Sequence, residues 1–386
     1  MPLHPERLAE TFVRLCEIDS PSRREGRLAV FLKGLFAAEF NAEILEDDSA
    51  GATGSDTGNL VVRIGGRDGI RPPFFCNCHL DTVEPCAGVK VRRIGDTFTS
   101  TGPTVLGADD KAGIAMLIEM ARCLKDESRL QVPLEFVFTT CEEIGLLGAK
   151  RFDFSLLRAS SGYALDSAGI DLAVIAAPAA NHFTALIQGL AAHAGLHPEN
   201  GINAIQLASL AVAAIPLGRL DKDSTANIGL ITGGKATNII PEQVRIEGEV
   251  RSHSAKKLAR YTAAIEDEFR LAIDRHGVLP REISGPGRRR AQLEFLVEEQ
   301  FPAMALDQDD PVLQRLTRAA ALLRRQLRFT VAGGGSDANI FSAQGLPTAI
   351  LGTGMTDVHT TEESITLKAM VRTTELLLAL ARQDPA

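Results

Sequence analysis

Apolar positions along the chain change period several times, and each change marks an element. Residues 5–17 set Leu8, Phe12 and Leu15 at helical spacing, and Ile18-Asp19-Ser20-Pro21-Ser22 breaks the pattern. A second helical stretch puts Leu28, Phe31, Leu32 and Leu35 on one face. Residues 41–58 are polar and rich in Ser, Gly and Asp, which predicts a surface turn. Strands are predicted at 59–64 and 74–80, the second ending in His79-Leu80-Asp81. Ile114, Leu117, Ile118 and Ala121 predict a helix over 113–124. Residues 134–140 form a continuous apolar strand, as expected where helices cover both faces of a sheet, and lead into Cys141-Glu142-Glu143. Tyr163-Ala164-Leu165-Asp166 reads as the end of another strand.

The pattern shifts near Pro178. Strand (181–188), helix (203–215), two strands (227–232 and 244–250), helix (255–275) and strand (292–297) follow in the order β-α-β-β-α-β, an α+β sandwich with its own core. From about Asp307 the first pattern returns, with helices at 311–325 and 365–380 around a strand at 346–351. The expected architecture is an α/β domain, a mixed sheet flanked by helices, interrupted by a ferredoxin-like α+β domain. Residues 1–177 and 303–386 form the first domain and 178–302 the insertion. The length, 386 residues, agrees with two or three domains at roughly 150 residues each.

Composition narrows the function. Lys+Arg is 41 and Asp+Glu 49, a formal net charge of −8, so a general positive field for nucleic acid or anionic membrane is missing. With no Trp and two Tyr, a stacking platform for bases or sugars is hard to build. No apolar run approaches the roughly 18–20 residues of a membrane span, and residues 1–25 are charged, without the apolar stretch of a secretory signal. Of the six cysteines none forms a C-x-x-C pair, so they read as small buried hydrophobes of a reducing, cytoplasmic compartment.

Polar residues recur at the ends of the apolar strands, where open α/β sheets bind ligands. They are His79 and Asp81, Glu142 and Glu143, and Asp166, with Asp109 and Asp110 before a helix and His359 after a later strand. Two imidazoles with several carboxylates suit zinc, manganese or cobalt. More carboxylates are present than one ion uses, which favours two metals sharing a carboxylate. Singly, each piece has a plainer reading. His79-Leu80-Asp81 could be a hydrogen-bonded pair, Asp109-Asp110 a helix cap, and Glu142-Glu143 a solvated strand end.

In order, the runs His79-Leu80-Asp81-Thr82-Val83, Gly107-Ala108-Asp109-Asp110-Lys111-Ala112-Gly113, Thr140-Cys141-Glu142-Glu143-Ile144-Gly145, Ala164-Leu165-Asp166 and His359-Thr360-Thr361-Glu362-Glu363 resemble the M20 metallopeptidases, close to the peptidase T branch. Ala191-Ala192-His193-Ala194-Gly195, Asn238-Ile239-Ile240-Pro241 and Gly333-Gly334-Gly335-Ser336-Asp337 agree with that resemblance. It implies a di-zinc exopeptidase fold with a lid domain. By position, His79 and Asp166 would hold one zinc, Glu143 and His359 the other, and Asp109 both. Glu142 would be the general base, and Asp81 would accept a hydrogen bond from His79 and fix its ring. His193 would reach the scissile carbonyl, from the partner subunit in dimeric relatives. Asn238 and Arg251 match substrate-contacting lid positions, and Ser336 and Asp337 fall in a loop near the substrate end group. The resemblance also implies a cis peptide at Asp109–Asp110. One departure stands out: the tripeptide aminopeptidases carry an Arg shortly after the Gly-rich loop, where this chain reads Ala338-Asn339-Ile340-Phe341.

Rival motifs fail. Gly102 and Gly107 have P-loop spacing, but Ala108 replaces the required Lys. Ser336 sits outside any G-x-S-x-G elbow. His182, His197, His253 and His276 read as surface or hydrogen-bonded histidines, and Arg288-Arg289-Arg290 as a solvated turn. The expected function is a metal-dependent aminopeptidase on tripeptides or other short peptides, with two divalent ions, Zn²⁺ first and Mn²⁺ or Co²⁺ next, and a possible homodimer through the inserted domain. Two alternatives are an aminoacylase-like enzyme on N-acyl amino acids and a metal-dependent binding protein without catalysis.

Overall fold

The computed structural model describes residues 3–65, 74–127, 133–280, 283 and 289–383. The chain divides into two compact units, Met1–Ala177 with Met304–Ala386, and Pro178–Ala303.

The first unit is built on a nine-stranded mixed sheet. Its order is Glu43–Glu46, Leu60–Ile64, Leu134–Thr139, Phe75–His79, Gly162–Ser167, Thr348–Gly352, Leu172–Ala177 and Met304–Ala305, with Arg328–Val331 also pairing Leu172–Ala177. Four central neighbours, Leu134–Thr139, Phe75–His79, Gly162–Ser167 and Thr348–Gly352, run parallel. Phe75–His79 leads to Leu134–Thr139 on one side, and that strand leads on to Gly162–Ser167 on the other. Such a reversal opens a crevice at the carboxyl ends of the strands.

Every residue of Phe75–His79 and Leu134–Thr139 is buried, because helices cover both faces. On one face, helix Ala108–Asp126 lies on the sheet and packs against helices Pro5–Cys16 and Leu367–Ala381. Cys76 and Cys78 point into this core. On the other face Phe75 meets Phe341 of helix Asp337–Ala343 at 4.9 Å between ring centroids. Alternation along the strand puts Asn77 and His79 on the same side as Phe75. All six cysteines are free and buried.

The second unit is a five-stranded antiparallel sheet, ordered Gly218–Asp221, Ser224–Gly233, Gln243–Ser252, Ala179–Gln188 and Gln292–Phe301. Val244, Ile246 and Val250 alternate into a core under helices Ala204–Ala214 and Ala255–His276. Asn203 and Ser254 cap these helices through their side chains. Of the Arg288–Arg290 run, Arg288 lies outside the described residues, Arg289 is exposed, and Arg290 pairs with Asp274.

Several elements differ from their sequence expectation. The polar 41–58 stretch holds the edge strand Glu43–Glu46 and a short helix, Ala50–Thr53. Leu172–Ala177 and Gly218–Asp221 are strands that no spacing in the sequence predicts. The closing helix begins at Leu367, because Ser364–Thr366 pairs with Thr97–Ser100 in a three-stranded sheet. No helix among the described residues is long and apolar enough to cross a membrane.

Gly113 sets how closely its helix approaches the sheet. A Cβ there would stand 2.4 Å from Asp110 Oδ1, 2.7 Å from Cys78 Sγ and 2.9 Å from Leu165 Cβ. Ala would gain about 1 kcal/mol of helix propensity, but overpacking costs about 1–3 kcal/mol, so the clash decides the sign. Gly113→Ala is expected to lower the urea midpoint of unfolding. A midpoint at or above wild type would contradict the close-approach role.

Candidate metal centre

Chemistry collects at the carboxyl ends of the four parallel strands. His79 ends one of them and is 2 % exposed. Its Nδ1 lies 3.0 Å from the Asp81 main-chain oxygen and its Nε2 2.9 Å from Asp109 Oδ1. With Nδ1 donating to a carbonyl, Nε2 is left as the ligating nitrogen. The Asp81 carboxylate is farther from Nδ1, at 3.5 Å. It also accepts from the Ser22 hydroxyl (2.6 Å) and from the main-chain N–H groups of Glu142 (2.9 Å) and Glu143 (3.1 Å). The ring therefore faces both the carbonyl and the carboxylate of Asp81, the carbonyl being nearer. The carboxylate is drawn to donors that the end of strand Leu134–Thr139 leaves unpaired.

Asp109 stands between the two imidazoles. Its Oδ2 is 3.4 Å from His359 Nε2, which is 3.0 Å from Glu143 Oε2. The Asp109–Asp110 peptide is cis. Arg23, Cys141 and His359 adopt left-handed φ angles of 71°, 53° and 63°. Non-glycine residues of that kind concentrate at working sites. Ligand atoms of His79, Asp109 and Asp166 lie within 4.8 Å of one another, as do those of Asp109, Glu143 and His359. His79, Glu142 and Glu143 form a third such group. Two triads therefore share Asp109.

The electrostatics follow from crowding. Burial, followed by the nearby Asp166 carboxylate, pushes the Glu142 carboxyl well above its ordinary value. Burial, followed by Asp109, does the same to Asp166. Burial raises Asp337 to about 6. Burial opposes ionisation of Asp109 too, but hydrogen bonds from His359 and His79 hold its carboxyl below the usual range. Hydrogen bonds to Asp109 and Glu143 raise His359 to about 10. Glu143 Oε1, Asp110 Oδ1 and Asp337 Oδ1 are buried without a hydrogen-bond partner. The orphaned oxygen on Glu143, a member of the Asp109–Glu143–His359 triad, is what a divalent cation would satisfy. The donor set fits two such ions.

Ser336 and Asp337 open a helix rather than lying in a loop. Ser336 caps it and Asp337 is its first residue, bonded to Thr139 Oγ1 and 3.5 Å from Asn77 Nδ2. Both are buried. In the second unit His193 is exposed and pairs across a β-bridge with Ile239, while Ala194 N–H donates to Asn238 O at 3.0 Å. His193 and Asn238 therefore sit together, at the Gln188/Gln243 end of the sheet. Arg251 pairs with Ala180 at the opposite end and holds Glu249 at 3.0 Å. Eight residues of strand separate Gln243 from Arg251, about 26 Å.

Two buried carboxylates escaped the sequence reading. Glu363 accepts the N–H groups of Leu106 (2.8 Å), Gly107 (2.7 Å) and Asp109 (3.0 Å). Glu25 accepts those of Cys141 (2.9 Å) and Arg23 (3.0 Å), and the Ser55 hydroxyl (2.6 Å). Each fixes the backbone of a loop that bears a candidate ligand. The only sequence signal for Glu363 is its place four residues after His359. Glu25 has none.

The sequence signature of peptidase family M20/M25/M40 matches residues 75–383. The chain belongs to that family. It is 37% identical over 382 residues to the uncharacterized protein YqjE of Bacillus subtilis, covering 99% of each chain. The structure of the aminopeptidase PepT from Bacillus cereus is similar at 36% identity and a TM-score of 0.85, covering 98% of both chains. A tripeptidase from Staphylococcus aureus matches at 32% identity and a TM-score of 0.88, over 99% of this chain and 100% of that one. This M20 chain is thus a metal-dependent peptidase of the peptidase T-like branch, with a donor set that fits two divalent ions.

If Glu363 shapes the Asp109 loop, Glu363→Gln should weaken metal binding about 10–100-fold, the usual effect of losing a supporting partner. Competition with a chromogenic chelator reads this directly. Unchanged affinity would show that the loop holds its shape without the charge.

Proposed function

We propose that this M20 enzyme is an exopeptidase that removes the amino-terminal residue of tripeptides or other short peptides. The sharing of Asp109 between two ligand triads carries the reading. His79, Asp166 and Asp109 would hold one ion, and Glu143, His359 and Asp109 the other, zinc first among the candidates. When bound, the ions polarise the scissile carbonyl and acidify the attacking water. Glu142 lies beside both triads, and its raised pKa suits a group that takes a proton from water and returns it to the leaving amine. The PepT and tripeptidase relatives support aminopeptidase chemistry on short peptides. A second reading, hydrolysis of N-acyl amino acids, is favoured by one observation: Ala338-Asn339-Ile340-Phe341 brings no guanidinium to the start of helix Asp337–Ala343.

His193 would steady the developing oxyanion, and Asn238 and Arg251 would contact substrate. A tripeptide spans about 10 Å when extended, so it cannot touch both ends of a sheet about 26 Å apart. That supports a homodimer in which His193 and Asn238 act on the partner's substrate. The unit offers a surface for it. Strand Gly218–Asp221 pairs only with residues 224–226, so residues 227–233 form an open edge, with Leu230 60 % and Ile231 56 % exposed. Ile205 and Leu210 on helix Ala204–Ala214 are exposed as well. Six free thiols support a cytoplasmic setting.

Glu142→Ala should retain both metals and lower kcat by about two to four orders of magnitude, whereas Asp109→Ala should lose metal. Metal analysis beside steady-state kinetics separates the two, and equal metal loss would remove the role split. Ile231→Glu should shift sedimentation from dimer to monomer. A wild-type monomer would contradict the dimer outright.

A further inference from the structure

A cavity of about 660 Å³ opens on Glu143, wholly within the first unit. Pro21, Ser22, Arg23 and Arg24 form one wall, with Gly54 and Glu84 among the residues facing them. The wall is fixed to the metal loops. Thr82 N–H donates to Ser20 O at 3.0 Å, and Pro21 bridges Thr82. Ser22 Oγ donates to Asp81 Oδ2 at 2.6 Å, and Arg24 N–H donates to Pro21 O at 2.8 Å. Arg23 has a φ of 71°, and its Cδ and Nε lie 3.7 Å from where a Gly54 Cβ would stand. The backbone is held while both guanidinium groups remain exposed.

Neither guanidinium is ion-paired with a described residue, and both residues line the cavity. Of the nearby carboxylates, Glu143 belongs to the metal centre, Asp56 accepts Gly26 N–H at 2.7 Å, and Glu84 completes the lining. Two guanidinium groups without an ion-pair partner among the described residues therefore share the cavity with the Asp56 and Glu84 carboxylates. No aromatic ring lines the cavity. Guanidinium groups bind carboxylates through paired N–H donors, and Glu143 belongs both to the cavity lining and to a metal-ligand triad.

We infer that this cavity is a subsite for a carboxylate of the substrate, gripped by Arg23 and Arg24. The subsite rests on the peptidase reading. It also supplies from the N-terminal segment a guanidinium that the 338–341 stretch lacks. The carboxylate is either the free C-terminus of the peptide or an acidic side chain, and both present the same chemistry.

The metal-loaded enzyme distinguishes them. One pair of substrates is a neutral tripeptide and its C-terminal amide. A second is the same amide with Asp or with Asn at one position in turn. Wild type is expected to prefer the carboxylate member of one pair by about tenfold in kcat/KM, mainly through KM. Arg23→Ala/Arg24→Ala should reduce that ratio to about unity, and Arg23→Glu/Arg24→Glu should invert it. A preference in the first pair assigns the C-terminus, and one in the second assigns a side chain. Wild type that cleaves both members of each pair equally overturns the subsite and leaves the peptidase reading standing. A preference that survives both double variants also overturns it. Failure to cleave any of these peptides sinks the peptidase reading itself, and the subsite with it.

Discussion

Burying negative charge is the constraint on which this structure depends. Nine carboxylates crowd the ends of four parallel strands: Glu25, Asp81, Asp109, Asp110, Asp337 and Glu363 are buried, and Glu142, Glu143 and Asp166 are half-buried. An ionised carboxylate in such a place is costly unless donors or cations meet it. Three of the nine each gather at least two main-chain N–H groups. Asp81, Glu25 and Glu363 do so, from the loops around 141–143 and 106–109 among others. Other carboxylates are met only in part. Glu143, Asp110 and Asp337 each keep an oxygen without a partner, and burial pushes Glu142 and Asp166 toward their protonated forms. Two divalent ions would answer that excess and change the formal charge of the chain from −8 to about −4.

The fold explains why the charges meet. Parallel strands bring their carboxyl ends to one edge, and the reversal of strand order opens that edge. Helix Ala108–Asp126 begins there, with Asp109 between the imidazoles of His79 and His359. Gly113 lets the same helix lie close against Cys78 and Leu165. Loop geometry is then set by carboxylates that are not themselves candidate ligands.

Much of this was legible in the chain. The continuous apolar strand at 134–140 declared a sheet covered on both faces, and polar residues at the strand ends declared the site. Motif order pointed to the family, which the match over 75–383 shows. Short strands such as Leu172–Ala177 were not legible, because an apolar run beside a polar turn has no distinctive period. Glu25 and Glu363 were hidden for a different reason. A carboxylate that accepts main-chain N–H groups has partners far along the chain, as Glu363 to Leu106 shows, and no local spacing announces it. The Asp81 carboxylate was expected on His79; it lies 3.5 Å from that ring and also holds the Glu142 and Glu143 amides, partners set by strand-end donors that sequence does not display.

The shared Asp109 is the centre of the account. A crystal of the enzyme grown with Zn²⁺ and measured at the zinc absorption edge tests it directly. The account predicts two anomalous peaks per chain, one bound by His79 and Asp166, the other by Glu143 and His359, with Asp109 reaching both. A single peak, or two peaks that do not share Asp109, would contradict it.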